Sequence, residues 1–150
     1  MRALIQRVSH AVVMIDDREW SRMGRGLLVL IGIEHEDTEQ DIDWLAGKIA
    51  AMRLFADDEG KMNRSVMDIE GELLVVSQFT LHASTKKGHR PSFLRAASPS
   101  HAEPMYEQCC AKLAQLTSRP VKQGKFGADM QITLCNDGPV TIGIDSRDRQ

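Results

Sequence analysis

A chain of 150 residues, 42% hydrophobic and 27% charged, has the length of one ordinary domain spanning 1–150 and is too apolar to be disordered. Lys and Arg number 19 against 21 Asp and Glu, a net charge of −2, which excludes a protein that coats duplex nucleic acid by bulk charge. A local basic patch that grips the end of a nucleic acid is still allowed.

The elements follow in chain order. Residues 2–8 and 11–15 are rich in Val, Ile and Leu and are expected as two strands with a turn at Ser9-His10. Gly24 and Gly26 precede Leu27–Ile33, a run apolar enough for a strand covered on both faces. That run is also the longest in the chain, far below the roughly 20 residues of a membrane span. Arg2, Gln6 and Arg7 break up any signal-peptide core.

Glu34, Glu36, Asp37 and Glu39 form an acidic loop, expected as a solvated helix start. Thr38 with Asp41 makes a capping-box pattern, and Ile42, Leu45, Ala46, Ile49 and Met52 recur at helical spacing, which predicts an amphipathic helix over 39–53. Asp57, Asp58 and Gly60 mark a turn, and Leu73–Gln78 is another apolar strand. A polar, basic segment runs from His82 to Ser98. Ser100 with Glu103 is a second capping-box pattern, ahead of a stripe of Met105, Tyr106, Cys109, Leu113 and Leu116. Met130–Cys135 and Val140–Asp145 alternate apolar and polar residues, as two half-buried strands joined by a turn at Asn136-Asp137-Gly138 would. The order predicts a mixed α/β fold with a mostly antiparallel sheet and two main helices, rather than a doubly wound one.

Common catalytic signatures are missing: the chain has no G-x-S-x-G, no P-loop, no G-x-G-x-x-G and no H-E-x-x-H. Histidines at 10, 35, 82, 89 and 101 are scattered without ligand spacing, so neither a metal nor a cofactor is expected. Three cysteines, with Cys109 and Cys110 adjacent and no C-x-x-C, point to a soluble, cytoplasmic protein in a reducing compartment. His82 is set apart from the other histidines because hydroxyls surround it in sequence.

Three segments could carry chemistry. Ser77-Gln78-Phe79-Thr80 lies where an apolar strand runs into a polar loop, a place suited to presenting hydroxyls and free N–H groups to an ester oxyanion. Asn136-Asp137-Gly138-Pro139 brings a proline to a strand start, where its missing N–H costs nothing. Lys86, Lys87 and Arg90, with Arg95 close behind, concentrate cations that could hold phosphates.

Together these segments resemble the D-aminoacyl-tRNA deacylase family of the D-tyrosyl-tRNA type. Ser77-Gln78-Phe79-Thr80-Leu81 and Asn136-Asp137-Gly138-Pro139-Val140-Thr141 match its two hallmarks. Met1–Val8, Gly60–Asn63, Lys87–Phe93 and Phe126–Met130 follow the family in the same order. Two positions depart from it: the family more often carries an aromatic at His82 and Asp at Ser84.

The resemblance implies a sheet that curls toward a barrel, and hydrolysis of the ester between a D-amino acid and the 3′ end of tRNA. It also implies a homodimer with active sites at the interface, and glycyl-tRNA as an accepted substrate. Ser77, Gln78, Phe79 and Thr80 would surround the scissile ester. Gly138-Pro139, joined by a cis bond, would cross from one subunit into its partner's pocket and reject L-amino acids sterically. Arg7, Asn136 and Met130 would support the site, and Lys86, Lys87 and Arg90 would meet tRNA phosphates. Two other readings stay open on the residues: a hydrolase of small esters pairing Ser77 or Thr80 with His82, and a noncatalytic module that binds RNA ends.

Overall fold

The structure is a computed structural model and describes residues 1–149. Its spine is one long strand, β1 (Arg2–Ile15), which runs straight through the expected Ser9-His10 turn. The chain reverses instead at Asp16 and Asp17, whose φ angles of 49° and 59° suit the two-residue hairpin turn that Asp tolerates. Beyond it, β2 (Arg18–Met23) was not foreseen in the sequence because its Arg-Glu-Trp-Ser-Arg stretch alternates too weakly. β2 and β3 (Gly26–Gly32) lie end to end along one edge of β1, paired to residues 11–15 and 2–8 respectively.

Helix α1 (Glu39–Ala51) begins with the predicted capping box, the Asp41 carboxylate accepting from the Thr38 N–H at 2.8 Å. It buries Ile42, Leu45, Ala46 and Ile49, and full burial of side chains the size of Leu45 or Ile49 contributes about 1.5–3 kcal/mol each. A short ribbon, β4 (Phe55–Ala56) with β5 (Met62–Arg64), flanks the Asp57–Gly60 turn. Next, β6 (Glu72–Ser77) pairs parallel to β3, and a 3₁₀ turn (Phe79–His82) follows it.

Helix α2 (Pro99–Thr117) starts two residues before the Ser100–Glu103 pattern suggested. Ser98 is its N-cap residue and Pro99 occupies the first turn, where a missing N–H is harmless. After it, β7 (Lys122–Gln123) pairs parallel to β6. The fold is therefore mixed α/β, with a mostly antiparallel sheet and two parallel crossovers, each carried by a helix.

The final strand corrects the expected hairpin. Residues 131–145 form a single strand, β8 (Gln131–Asp145), both halves of which pair with β1 on its free edge. Val8 faces Asn136 and Gln6 faces Thr141, so one residue of β1 stands opposite the four residues 137–140. The surplus leaves the ladder as a bulge. Proline in a strand selects such a bulge as readily as a turn, and local sequence does not separate the two.

The sheet curls into a nearly closed barrel with a core on each face. Leu27, Val29 and Ile31 of β3 point toward the helices and pack with Leu45, Ile49, Cys109 and Leu113. Leu28 and Leu30 point inward, among Val8, Val13, Met23, Leu74, Val76 and Ile132. β3 is thus covered on both faces, as its unbroken apolar run predicts.

Candidate active site

Where β6 leaves the sheet, its last residues border a cavity of about 610 Å³. Ser77, Gln78 and Phe79 line one wall, and Phe93, Ala96 and Ala97 of the following segment line another. The N-terminal turn of α2 contributes Pro99 and Ala102, and residues 126–130 close the far side, Met130 included. The lining is mostly apolar, with Ser77, Gln78 and Asp129 as its polar side chains.

The wall formed by Ser77, Gln78 and Phe79 is organised by the sheet. The Gln78 N–H donates to the Ile31 carbonyl at 2.7 Å, extending the β3–β6 ladder by one bond before the chain turns. The Gln78 side-chain amide then donates to the Thr80 hydroxyl at 2.6 Å. Phe79 and Thr80 head the 3₁₀ turn, so their N–H groups have no acceptor within it. The Phe79 ring is 57% exposed and meets Phe93 edge to face, with centroids 5.1 Å apart. Thr80 lies beside the cavity rather than in its lining.

His82 is not beside the hydroxyls. It is fully buried beneath the turn, its ring against Gly32, where an added Cβ would come within 2.9 Å of it. Burial pushes its pKa below the ordinary histidine value, against the opposing pull of Glu34. Neither ring nitrogen reaches Ser77 or Thr80 in a hydrogen bond, so His82 forms no dyad that could activate either hydroxyl. The acidic loop is likewise not simply solvated. Glu34 and Asp37 are buried, Glu34 taking Arg95 and Asp37 taking the Met1 ammonium at 2.6 Å, whereas Glu36 stays at the surface with Arg147.

The second motif contributes no residue to the lining of this cavity. Asn136 closes the bulge across its base, its Oδ1 accepting from the Val140 N–H and its Nδ2 donating to the Thr141 hydroxyl, both at 2.8 Å. Arg7, the β1 residue facing the bulge, donates through Nε to the Asp137 carbonyl at 2.8 Å and through Nη1 to the Leu54 carbonyl. The Gly138–Pro139 peptide bond is cis, and Gly138 has φ of 143°, a conformation that L side chains rarely adopt. Both residues are exposed and neither lines the 610 Å³ cavity.

The basic segment divides in two. Lys86, Lys87 and Arg90 sit on an exposed loop closed by paired backbone bonds between Ser84 and Ser92, and among the described residues they form no ion pair. Arg95 is turned inward to Glu34. The sequence did not single out Phe93, Ala96, Ala97 or Phe126 as pocket residues. They lie in irregular segments whose periodicity says nothing about where a side chain points.

The two sequence motifs thus part company, one walling a cavity at a strand end through Ser77, Gln78 and Phe79, the other forming a braced proline bulge outside that lining. The description D-Tyr-tRNA(Tyr) deacylase matches residues 4–145 of the chain. Two relatives named D-aminoacyl-tRNA deacylase, from Akkermansia muciniphila and Parabacteroides distasonis, are 59% and 57% identical over all 150 residues of this chain and the whole of each relative. A solved structure titled c-Myc DNA Unwinding Element Binding Protein superposes with a TM-score of 0.92 at 43% identity, covering 97% of this chain and 98% of its own. The chain belongs to the D-aminoacyl-tRNA deacylase family.

Proposed function

We propose that the chain hydrolyses the ester of D-aminoacyl-tRNA, releasing free D-amino acid and tRNA in the cytoplasm. The observation that carries this reading is that Ser77, Gln78 and Phe79 of the family hallmark wall the 610 Å³ cavity, with Thr80 beside it. In this reading the aminoacyl end enters the cavity, and the N–H groups at the head of the 3₁₀ turn, near Phe79, stabilise the oxyanion of the attacked carbonyl. Water is the attacking group, assisted by the 2′-hydroxyl of the terminal adenosine. The Thr80 hydroxyl has no base beside it and already accepts from Gln78, so it positions rather than attacks. Lys86, Lys87 and Arg90 hold backbone phosphates of the acceptor end.

Selection against L-amino acids is assigned to Gly138-Pro139. Its exposure, its place outside the lining of its own chain's cavity and its anchorage by Arg7 and Asn136 support a role in a partner's pocket, within a homodimer whose active sites lie at the interface. A rigid backbone there collides with an L side chain and is indifferent to a D side chain. Glycine, having no side chain, passes as well.

The test measures release of amino acid from matched D-, L- and glycyl-tRNA. Rapid hydrolysis of the D and glycyl esters with the L ester spared is expected. Hydrolysis of both enantiomers would remove the role of Gly138-Pro139. Binding of tRNA without any hydrolysis would overturn the enzymatic reading in favour of an RNA-end module.

A further inference from the structure

The two walls of the cavity come from segments more than ten residues apart in sequence, the turn at Phe79 and the stretch Phe93–Ala97. Both are attached to the exit of β3. Gln78 bonds to Ile31, and the His82 ring packs under Gly32 with Nδ1 3.1 Å from Glu34 Oε1. On the other wall, Ala97 donates to the Ile33 carbonyl at 2.9 Å, and Ala96 bridges to Glu34. Between Phe93 and Ala96 the backbone turns, with Ala96 donating to the Phe93 carbonyl at 3.0 Å. Arg95 stands in that turn, and one of its guanidinium nitrogens donates to both oxygens of Glu34, at 2.8 and 2.9 Å. Glu34 is 7% exposed and Arg95 is more than half exposed, so the carboxylate is the fixed partner and the arginine is held by it.

We propose that Glu34 and Arg95 form a positioning pair that holds Phe93 against Phe79, and so sets the width of the pocket for the ester-bearing end of the substrate. The pair touches no reacting atom. Its effect runs through the turn 93–96, where among the described residues it is the only side-chain hydrogen bond or ion pair, the Phe93 ring otherwise resting on Phe79. A charge-assisted hydrogen bond to a buried carboxylate is strong enough to decide the resting place of such a turn. Arg95 is therefore not a fourth phosphate contact beside Lys86, Lys87 and Arg90, although the sequence groups it with them. The catalytic part of the argument rests on the deacylase reading above; the structural part does not.

The experiment has two readouts. In the free protein, ring-current-shifted aromatic NMR signals report the Phe79–Phe93 contact without any substrate. In the hydrolysis of D-aminoacyl-tRNA, kcat and KM are measured for Glu34→Gln, Arg95→Ala, Arg95→Lys and the double variant Glu34→Gln/Arg95→Ala. The expected result is loss of the shifted signals and a rise of about tenfold in KM for Glu34→Gln and for Arg95→Ala, with kcat within about twofold of the parent. The double variant should be no worse than either single change, and Arg95→Lys should recover most of the loss.

A merely structural role would lower the melting temperature and the folded fraction while leaving KM and the ring-current shifts of the folded protein alone, which overturns the proposal. If Arg95 met a phosphate instead, Arg95→Ala would flatten the salt dependence of KM and Glu34→Gln would leave KM unchanged or lower it, which also overturns it. Absence of hydrolysis by the parent would defeat the deacylase reading, and the NMR shifts would still decide whether the pair positions Phe93.

Discussion

Two polar motifs in this chain read alike in sequence and fold to opposite ends. The Ser77–Thr80 segment leaves a strand buried on both faces and walls a cavity with Ser77, Gln78 and Phe79, its backbone fixed by the neighbouring strand. The Asn136–Pro139 segment leaves the ladder of β8 and turns outward, its braces behind it and its apex exposed. The first is a site by concavity. The second has no cavity of its own, and rigidity at the surface is useful only if something else comes to meet it.

The sharpest way to break that contrast is to disturb the apex alone. In Gly138→Ala the new Cβ would come within 2.9 Å of the Arg7 guanidinium and 2.8 Å of Val140, in a backbone conformation unfavourable to any L side chain. Discrimination between D- and L-aminoacyl-tRNA should fall tenfold or more, measured as the ratio of hydrolysis rates. Intact discrimination would show that the bulge does not select the substrate.

A smaller effect belongs to the loop between the two motifs. Replacing Lys86, Lys87 and Arg90 together with Ala should raise KM alike for all accepted aminoacyl-tRNAs and reduce its salt slope by about one per lost contact. An unaltered slope would move the phosphates elsewhere on the surface.

Smaller again is the pH response of the buried floor beneath the first motif. Burial holds His82 below its ordinary pKa of 6.5, so the unfolded chain takes up this proton first as pH falls. Its contribution to stability is complete above pH 6.5 and is lost progressively below it. The melting temperature should drop between pH 7.5 and 5.5, and His82→Phe should flatten that slope. An equal slope in the variant would assign the drop to other groups.

The least effect is expected from thiol chemistry. Burial pushes Cys109 and Cys110 up to about 12, which keeps them as unreactive thiols, whereas Cys135 is exposed on β8. One equivalent of an alkylating reagent should react quickly, and Cys135→Ser should abolish that phase without loss of D-ester hydrolysis.

How much of this was legible beforehand differs by residue. The α1 capping box, its buried stripe and the doubly covered β3 were all readable, because each depends on neighbours within a few residues. The hairpin expected at 136–138 is not a hairpin, because both halves of β8 pair with β1, which lies far away at the other end of the sequence. His82 looked like a neighbour of hydroxyls, yet the 3₁₀ turn rotates it down onto Gly32. Arg95 looked like one more cation of a basic loop until Glu34 was found buried beside it.

By itself, then, the sequence determined the mixed α/β class, the two helices, the apolar strands and the two motifs by which the family is recognised. These follow from local periodicity, from capping and from motifs that are contiguous in the chain. Only the tertiary structure decided which motif faces a cavity and which faces outward, which acidic residues are buried, and which cations remain free to meet a substrate. Those outcomes depend on strand partners and on a shared carboxylate between distant segments, and no local pattern encodes a side chain's distant neighbour.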